Sequence, residues 1–261
     1  DGLALYKKLG KDDSVCITGH TYVALLRACT MLKDFNKGVE IHADISKRGL
    51  LMTDLFVTNT LVDMYTKCGS LSKAQNLLDE LSLRDVVSWT TLITGYTDYG
   101  HGEEAVRCFD RMRLEGVSPN NVTFVCALDA CMHLIEGQRI HSAIVCSGLE
   151  QDVIVGTNLI HMYTKCGCLQ SGFHVFYTMD HKNVVTLNAM MKALNMSEEI
   201  SKSLPLLYQS VRRDIKPDNT TFVCALEACG KNAHLKDGHT IHTAIIENQS
   251  EQDLIVANAL I

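Results

Sequence analysis

Three short segments of this 261-residue chain hold residues that could do chemistry. His101-Gly102-Glu103 has the His-x-Glu spacing that serves zinc-dependent deamination, where the histidine holds the metal and the glutamate moves the proton. That chemistry also needs a Pro-Cys-x-x-Cys pair, and the chain contains none. Cys166-Gly167-Cys168 sets two thiols one residue apart, closer in sequence than the ligand pairs of structural zinc. Arg213-Asp214-Ile215-Lys216-Pro217-Asp218-Asn219 runs close to the catalytic loop of a protein kinase, but neither Asp-Phe-Gly nor a Gly-rich phosphate loop accompanies it. His42, His141 and His242 each follow an isoleucine at one recurring place with no carboxylate beside them, which fits packing or solvent-facing roles. Catalytic residues, a metal site and a cofactor are therefore not expected, and the chain is read as no enzyme. The polar residues that remain are suited to recognition.

What positions them is a repeat. Thr21-Tyr22-Val23-Ala24-Leu25-Leu26-Arg27-Ala28-Cys29 returns as Thr123-Phe124-Val125-Cys126-Ala127-Leu128-Asp129-Ala130-Cys131 and as Thr221-Phe222-Val223-Cys224-Ala225-Leu226-Glu227-Ala228-Cys229. Met64-Tyr65-Thr66-Lys67-Cys68-Gly69 likewise matches Met162-Tyr163-Thr164-Lys165-Cys166-Gly167. Such self-similarity marks a solenoid, in which each unit buries its apolar face only against its neighbours. Boundaries at the recurrent Asp or Asn divide the chain into 19–54, 55–85, 86–120, 121–152, 153–183, 184–218 and 219–253, with part-units at 1–18 and 254–261.

Each unit reads as a helical hairpin. In 86–120, Trp89, Leu92, Ile93 and Tyr96 fall at helical spacing, Gly100-His101-Gly102 interrupts them, and Ala105, Val106, Phe109 and Met112 resume the period. Two units depart from the plan. Unit 121–152 lacks three residues between Cys131 and Gly137, which predicts a tighter inter-helix turn. Unit 184–218 loses both turn glycines and places Pro205 well inside its second helix, where proline costs about 3 kcal/mol, so a kinked or soft repeat is expected.

Apolar residues make up 46% of the chain, yet no apolar run approaches the length of a membrane span, so no membrane partner is expected. The cysteines are odd in number, 11, and most recur at equivalent helical places, which suits free thiols packed as small hydrophobes in a reducing compartment. A formal net charge of −6 runs against a nucleic-acid partner unless basic groups gather on one face.

Paired-helix units of this length fit two classes, tetratricopeptide arrays that hold peptides and pentatricopeptide arrays that hold single-stranded RNA. Val86-Val87-Ser88-Trp89-Thr90-Thr91-Leu92-Ile93-Thr94-Gly95-Tyr96, then Glu104-Ala105-Val106, then Gly116-Val117-Ser118-Pro119-Asn120, resembles the standard P motif of the pentatricopeptide repeat family. Units 55–85 and 153–183 resemble its short S motif through Asn59–Gly69 and Thr157–Gly167. Units 19–54, 121–152 and 219–253 resemble its L motif through Leu26-Arg27-Ala28-Cys29 and Ile41-His42. The order is that of the plant-type P-L-S subclass, with 1–18 a partial P, 184–218 a P and 254–261 a partial S. The resemblance implies an all-α, right-handed superhelical solenoid of helix-turn-helix repeats that binds single-stranded RNA in a mitochondrion or chloroplast. It implies a part in RNA processing, most often marking a C-to-U editing site for editing-factor proteins or a C-terminal deaminase-like domain. Any targeting segment would lie outside this chain.

In that family the base is read by the fifth residue of a unit together with the last. Carried over, the pairs are Asn59 with Asp85, Thr90 with Asn120, Thr157 with Asn183, and Asn188 with Asp218; by the family's code Asn/Asp favours U and Thr/Asn favours A. The L units carry Val23 with Asp54, Val125 with Asp152 and Val223 with Asp253, and a valine offers no hydrogen bond, so these act as spacers. The implied core is N-U-A-N-A-U-N. Asn, Thr and Asp are also good helix caps, and four matching pairs tilt the reading toward bases. The alternative function is a helical scaffold for protein partners, as in tetratricopeptide arrays.

Overall fold

The computed structural model describes residues 17–232, 235–250 and 252–260, and among them all regular structure is helical. The part-unit expected at 1–18 therefore lies almost wholly outside the described residues. The chain forms two compact units, Asp1–Cys131 and Met132–Ile261. In the first, α1 (Gly19–Leu32), α3 (Leu55–Lys67), α5 (Val86–Asp98) and α7 (Asn121–Ala130) lie side by side, and α2 (Phe35–Lys47), α4 (Leu71–Glu80) and α6 (Gly102–Leu114) back them. In the second, α9 (Val153–Lys165), α11 (Val184–Asn195), α13 (Asn219–Asn232) and α15 (Leu254–Leu260) form the row, and α8 (Leu134–Cys146), α10 (Leu169–Thr178), α12 (Ser203–Val211) and α14 (Leu235–Glu247) pack against it. Each unit is thus an all-α stack of helix-turn-helix repeats. No helix among the described residues is long and apolar enough to cross a membrane.

Local sequence dictates where these helices begin and end. Asp85 is extended, its carboxylate accepts the Ser88 N–H at 2.9 Å, and the Ser88 hydroxyl accepts the Asp85 N–H at 3.0 Å, a reciprocal box that starts α5. Trp89, Leu92 and Ile93 then turn inward with no exposed surface, each burial of this kind contributing roughly 1.5–3 kcal/mol. Gly100, at φ +76°, ends the helix and lets the His101 N–H reach back to the Tyr96 carbonyl at 2.8 Å. Gly69 and Gly167 repeat that exit.

Both expected irregularities take a different form. In unit 121–152 the missing residues come out of the helix rather than the turn: α7 has 10 residues where α1 has 14, and Cys131–His133 still leave a connection. A shortened helix loses backbone hydrogen bonds only at its end, which is less costly than straining a turn. Pro205 lies at the start of its helix, not in the helix interior. A 3₁₀ turn, Ile200–Lys202, takes up the chain first, α12 starts at Ser203, and Pro205 falls in the first turn, where its missing N–H has no partner to lose.

The ten described cysteines are free thiols. Burial pushes Cys108 up to about 12 and Cys29 and Cys224 up to about 11, so they pack as hydrophobes rather than act as nucleophiles.

Candidate functional site

The residues first considered for chemistry lie in turns and caps. His101 precedes α6 and sets its ring edge-on to Tyr96. Gly167 makes the α9 exit and Cys168 bonds Ser171 at 3.0 Å. Asp214 takes φ +63° in the loop that follows α12. His42 and His141 are half-buried, and each places Nδ1 2.8 Å from a tyrosine hydroxyl of the next unit, Tyr65 and Tyr163. Desolvation lowers both imidazoles and raises both phenols, Tyr65 to about 12. They are a repeated inter-unit rivet. Tyr65 and Tyr163 follow their histidines by 23 and 22 residues, and that near-equal recurrence was the available signal. His242 is exposed.

The four fifth-and-last pairs are brought together in space. Asn59 Nδ2 donates to both Asp85 oxygens at 3.2 Å. Asn188 Nδ2 donates to Asp218 Oδ1 at 2.9 Å. Thr90 Oγ1 lies 2.7 Å from Thr123 Oγ1, which donates to Asn120 Oδ1 at 2.9 Å. Thr157 Oγ1 lies 2.9 Å from Thr186 Oγ1, which donates to Asn183 Oδ1 at 3.1 Å. The physical cause is the repeat itself: the last residue of one unit caps the next first helix, and that helix lies beside the one carrying the fifth residue. Capping and pairing therefore coexist, since Asp85, Asn120, Asn183 and Asp218 all accept a backbone N–H as well. Burial pushes the Asp218 carboxyl up, but bonds from the Thr221 N–H, the Asn188 amide and the Thr221 hydroxyl outweigh it and hold the group below the ordinary carboxylate range.

The valine-bearing units differ. Val23 is buried, and Val125 and Val223 are half-buried. Asp54, Asp152 and Asp253 each take two backbone N–H groups of the following helix, and Asp253 also takes the Asn219 amide at 2.8 Å. Valine and aspartate do not meet through a polar bond in these units, because valine has none to give.

A pocket of about 380 Å³ runs between α3, α5 and α7, with Thr90 and Asn120 in its wall beside Val87, Val122, Asp63 and Lys67. A second, of about 490 Å³, holds Asn59 and Asp85 beside Phe56, Val87 and Arg27. The apolar neighbours were missed by sequence reasoning. Phe56, Val87, Val122, Ile154 and Val185 occupy the second place of their units and each is more than half exposed. Their signal is that the second place falls off the buried helical stripe of Trp89, Leu92 and Ile93.

A model of the PPR repeat family matches residues 84–133, and the PPR repeat model matches 56–86 and 157–184. Residues 56–133 and 157–184 carry pentatricopeptide repeats. Among proteins of similar sequence, a chloroplastic pentatricopeptide repeat-containing protein of Arabidopsis thaliana is 32% identical over 92% of this chain and 39% of its own length. A mitochondrial one of the same plant is 33% identical over 90% of this chain and 23% of its own length. The chain thus spans well under half of these relatives. In fold it is similar to the crystal structure of the pentatricopeptide repeat protein PPR10 from maize, at 20% identity, TM-score 0.51, covering 100% of this chain and 43% of that one. It is also similar to PPR10 in complex with an 18-nt psaJ RNA element, at 18% identity, TM-score 0.57, covering 99% and 43%.

Proposed function

We propose that this chain binds single-stranded RNA and reads one base per unit through Asn59/Asp85, Thr90/Asn120, Thr157/Asn183 and Asn188/Asp218. The observation that carries the reading is the geometry of those pairs. Asn59 meets Asp85 and Asn188 meets Asp218 directly at hydrogen-bond distance. Thr90 and Thr157 approach Asn120 and Asn183 through the hydroxyls of Thr123 and Thr186, and two of the pairs line open pockets beside an exposed aliphatic or aromatic side chain. An apolar surface packs against the face of a splayed-out base while a polar pair meets its edge. Asn188 spends one amide hydrogen on Asp218 and keeps the other, a donor suited to a uracil carbonyl. Val23, Val125 and Val223 can pack but not discriminate. The core N-U-A-N-A-U-N follows from that assignment.

In this reading the chain is the address-giving part of a longer P-L-S protein, and it has no chemistry of its own. C-to-U editing at a chosen transcript site is the process it serves, with the deamination supplied by editing-factor proteins or a deaminase-like domain. The chloroplastic and mitochondrial relatives support an organelle as its place, and the RNA complex of PPR10 supports RNA as the ligand class. The test is fluorescence anisotropy at fixed moderate salt with an RNA containing N-U-A-N-A-U-N, its scramble and the DNA equivalent. Tighter binding to the designed RNA is expected. Equal binding to all three would replace base reading with a scaffold for protein partners.

A further inference from the structure

The hydroxyl at the third place of the following unit joins three of the four reading pairs. We propose that Thr123, Thr186 and Thr221 are positioning residues that fix which polar atom of the preceding pair faces the base, so that three side chains set selectivity in these units. This inference rests on the base-reading function proposed above.

Proton accounting carries it. Each threonine hydroxyl has one hydrogen to give. Thr123 gives its hydrogen to Asn120 Oδ1 at 2.9 Å, so across the 2.7 Å contact Thr90 must be the donor. Thr90 Oγ1 is left to meet a base as an acceptor. Asn120 Oδ1 takes both the N–H and the O–H of Thr123, at 2.9 Å each, which leaves the Asn120 NH₂ group as the donor. An acceptor beside a donor complements adenine, whose Watson–Crick edge offers the N6 amino group and N1, and opposes guanine, whose O6 and N1–H present the reverse order. At the second Thr/Asn pair, Thr157 gives its hydrogen to the Val153 carbonyl at 2.7 Å, so the one hydrogen of Thr186 is shared between Thr157 Oγ1 at 2.9 Å and Asn183 Oδ1 at 3.1 Å. The outcome is again an acceptor at the fifth place. At Asn188, the one hydrogen of the Thr221 hydroxyl is shared between Asn188 Oδ1 at 2.7 Å and Asp218 Oδ1 at 2.9 Å while Nδ2 donates to Asp218, so the amide is held at both ends.

The fourth pair supplies the contrast. Ser88 stands at the same place, but its hydroxyl donates to the Asp85 backbone carbonyl at 2.9 Å, and Asn59 Oδ1 is buried with no hydrogen-bond partner. Ser88 keeps the helix-capping half of the role and lacks the positioning half. Substituting it therefore removes bonds to the Asp85 backbone and leaves the Asn59 and Asp85 side-chain contact in place.

The experiment measures binding of Thr123→Val, Thr123→Ser, Thr186→Val and Ser88→Ala by anisotropy to RNAs that differ only at the base opposite the pair concerned, with circular dichroism to confirm folding. Valine keeps the buried volume and removes the hydroxyl. Loss of one neutral hydrogen bond predicts that Thr123→Val lowers the adenine-over-guanine ratio roughly 3- to 10-fold. Thr123→Ser restores the ratio, and Ser88→Ala leaves the uracil preference at Asn59/Asp85 unchanged. A purely structural role would weaken binding to all four RNAs alike and leave the ratio intact. Thr186→Val, read at its own base, decides the matter if Thr123→Val does not fold. If the unsubstituted protein shows no adenine preference at these bases, base reading fails and the positioning role falls with it. An adenine preference that survives both valine substitutions overturns the positioning role alone.

Discussion

Converting the Thr90/Asn120 pair to the chemistry of its neighbours is the sharpest probe of base reading. In the double variant Thr90→Asn, Asn120→Asp, the new amide would face the new carboxylate as Asn59 faces Asp85 at 3.2 Å and Asn188 faces Asp218 at 2.9 Å. Little folding cost is expected, because Asp caps as Asn does. The backbone N–H at the third place is accepted at 2.9 Å by Asp85, 2.9 Å by Asn120 and 2.8 Å by Asp218. The acceptor that matches adenine is lost and a donor that matches a uracil carbonyl is gained. With base-edge bonds worth about 0.5–1.5 kcal/mol each, the preference moves by about 1–3 kcal/mol. That is a change of roughly 5- to 150-fold in the ratio of adenine to uracil affinities. The assay is anisotropy with two RNAs, N-U-A-N-A-U-N and N-U-U-N-A-U-N, against both proteins at one salt concentration. The parent binds the first more tightly and the variant the second. A folded variant that keeps the parent's order refutes the code at this pair.

Other outcomes follow from the packing. His42 and His141 are held below the ordinary value of 6.5 by burial, so unfolding takes up protons as the pH falls beneath it. Thermal stability is therefore full above about pH 6.5 and declines toward pH 5, and the double variant His42→Asn, His141→Asn flattens that decline in calorimetry across the range. Gly95→Ala would set a Cβ 2.9 Å from Thr66 Cβ and Cγ2 and 3.2 Å from Leu71 Cδ2, an overpacking worth about 1–3 kcal/mol of lost stability in urea titration. Gly230→Ala meets nothing within 4 Å inside α13 and gains about 0.5–1 kcal/mol from helix propensity in the same titration. Pro205→Ala leaves stability within about 0.5 kcal/mol, since the ring sits in a first turn; a gain near 3 kcal/mol would mean a strained helix interior after all.

Much of this architecture was legible in the residues because a repeat states its own period. The alternation of Leu61, Met64 and Tyr65 or Trp89, Leu92 and Ile93 fixes which helix face is buried, and Gly69, Gly100 and Gly167 mark exits where a left-handed residue is needed. Asn59, Thr90, Thr157 and Asn188 could be singled out by place alone. What sequence could not show is how those side chains are partnered, because each bond joins residues some thirty positions apart that meet only when neighbouring helices lie parallel. Thr123, Thr186 and Thr221 look in sequence like ordinary capping residues, and only the stacked helices turn their hydroxyls onto the preceding unit while that of Ser88 turns away. The same holds for Pro205, which the hairpin plan puts mid-helix and which a 3₁₀ turn moves to the start. Local pattern determined the helices and their buried faces, since helix formation and burial depend on near neighbours. The direction of each hydrogen bond was decided by tertiary packing, since a lone hydroxyl has one proton and several acceptors within reach.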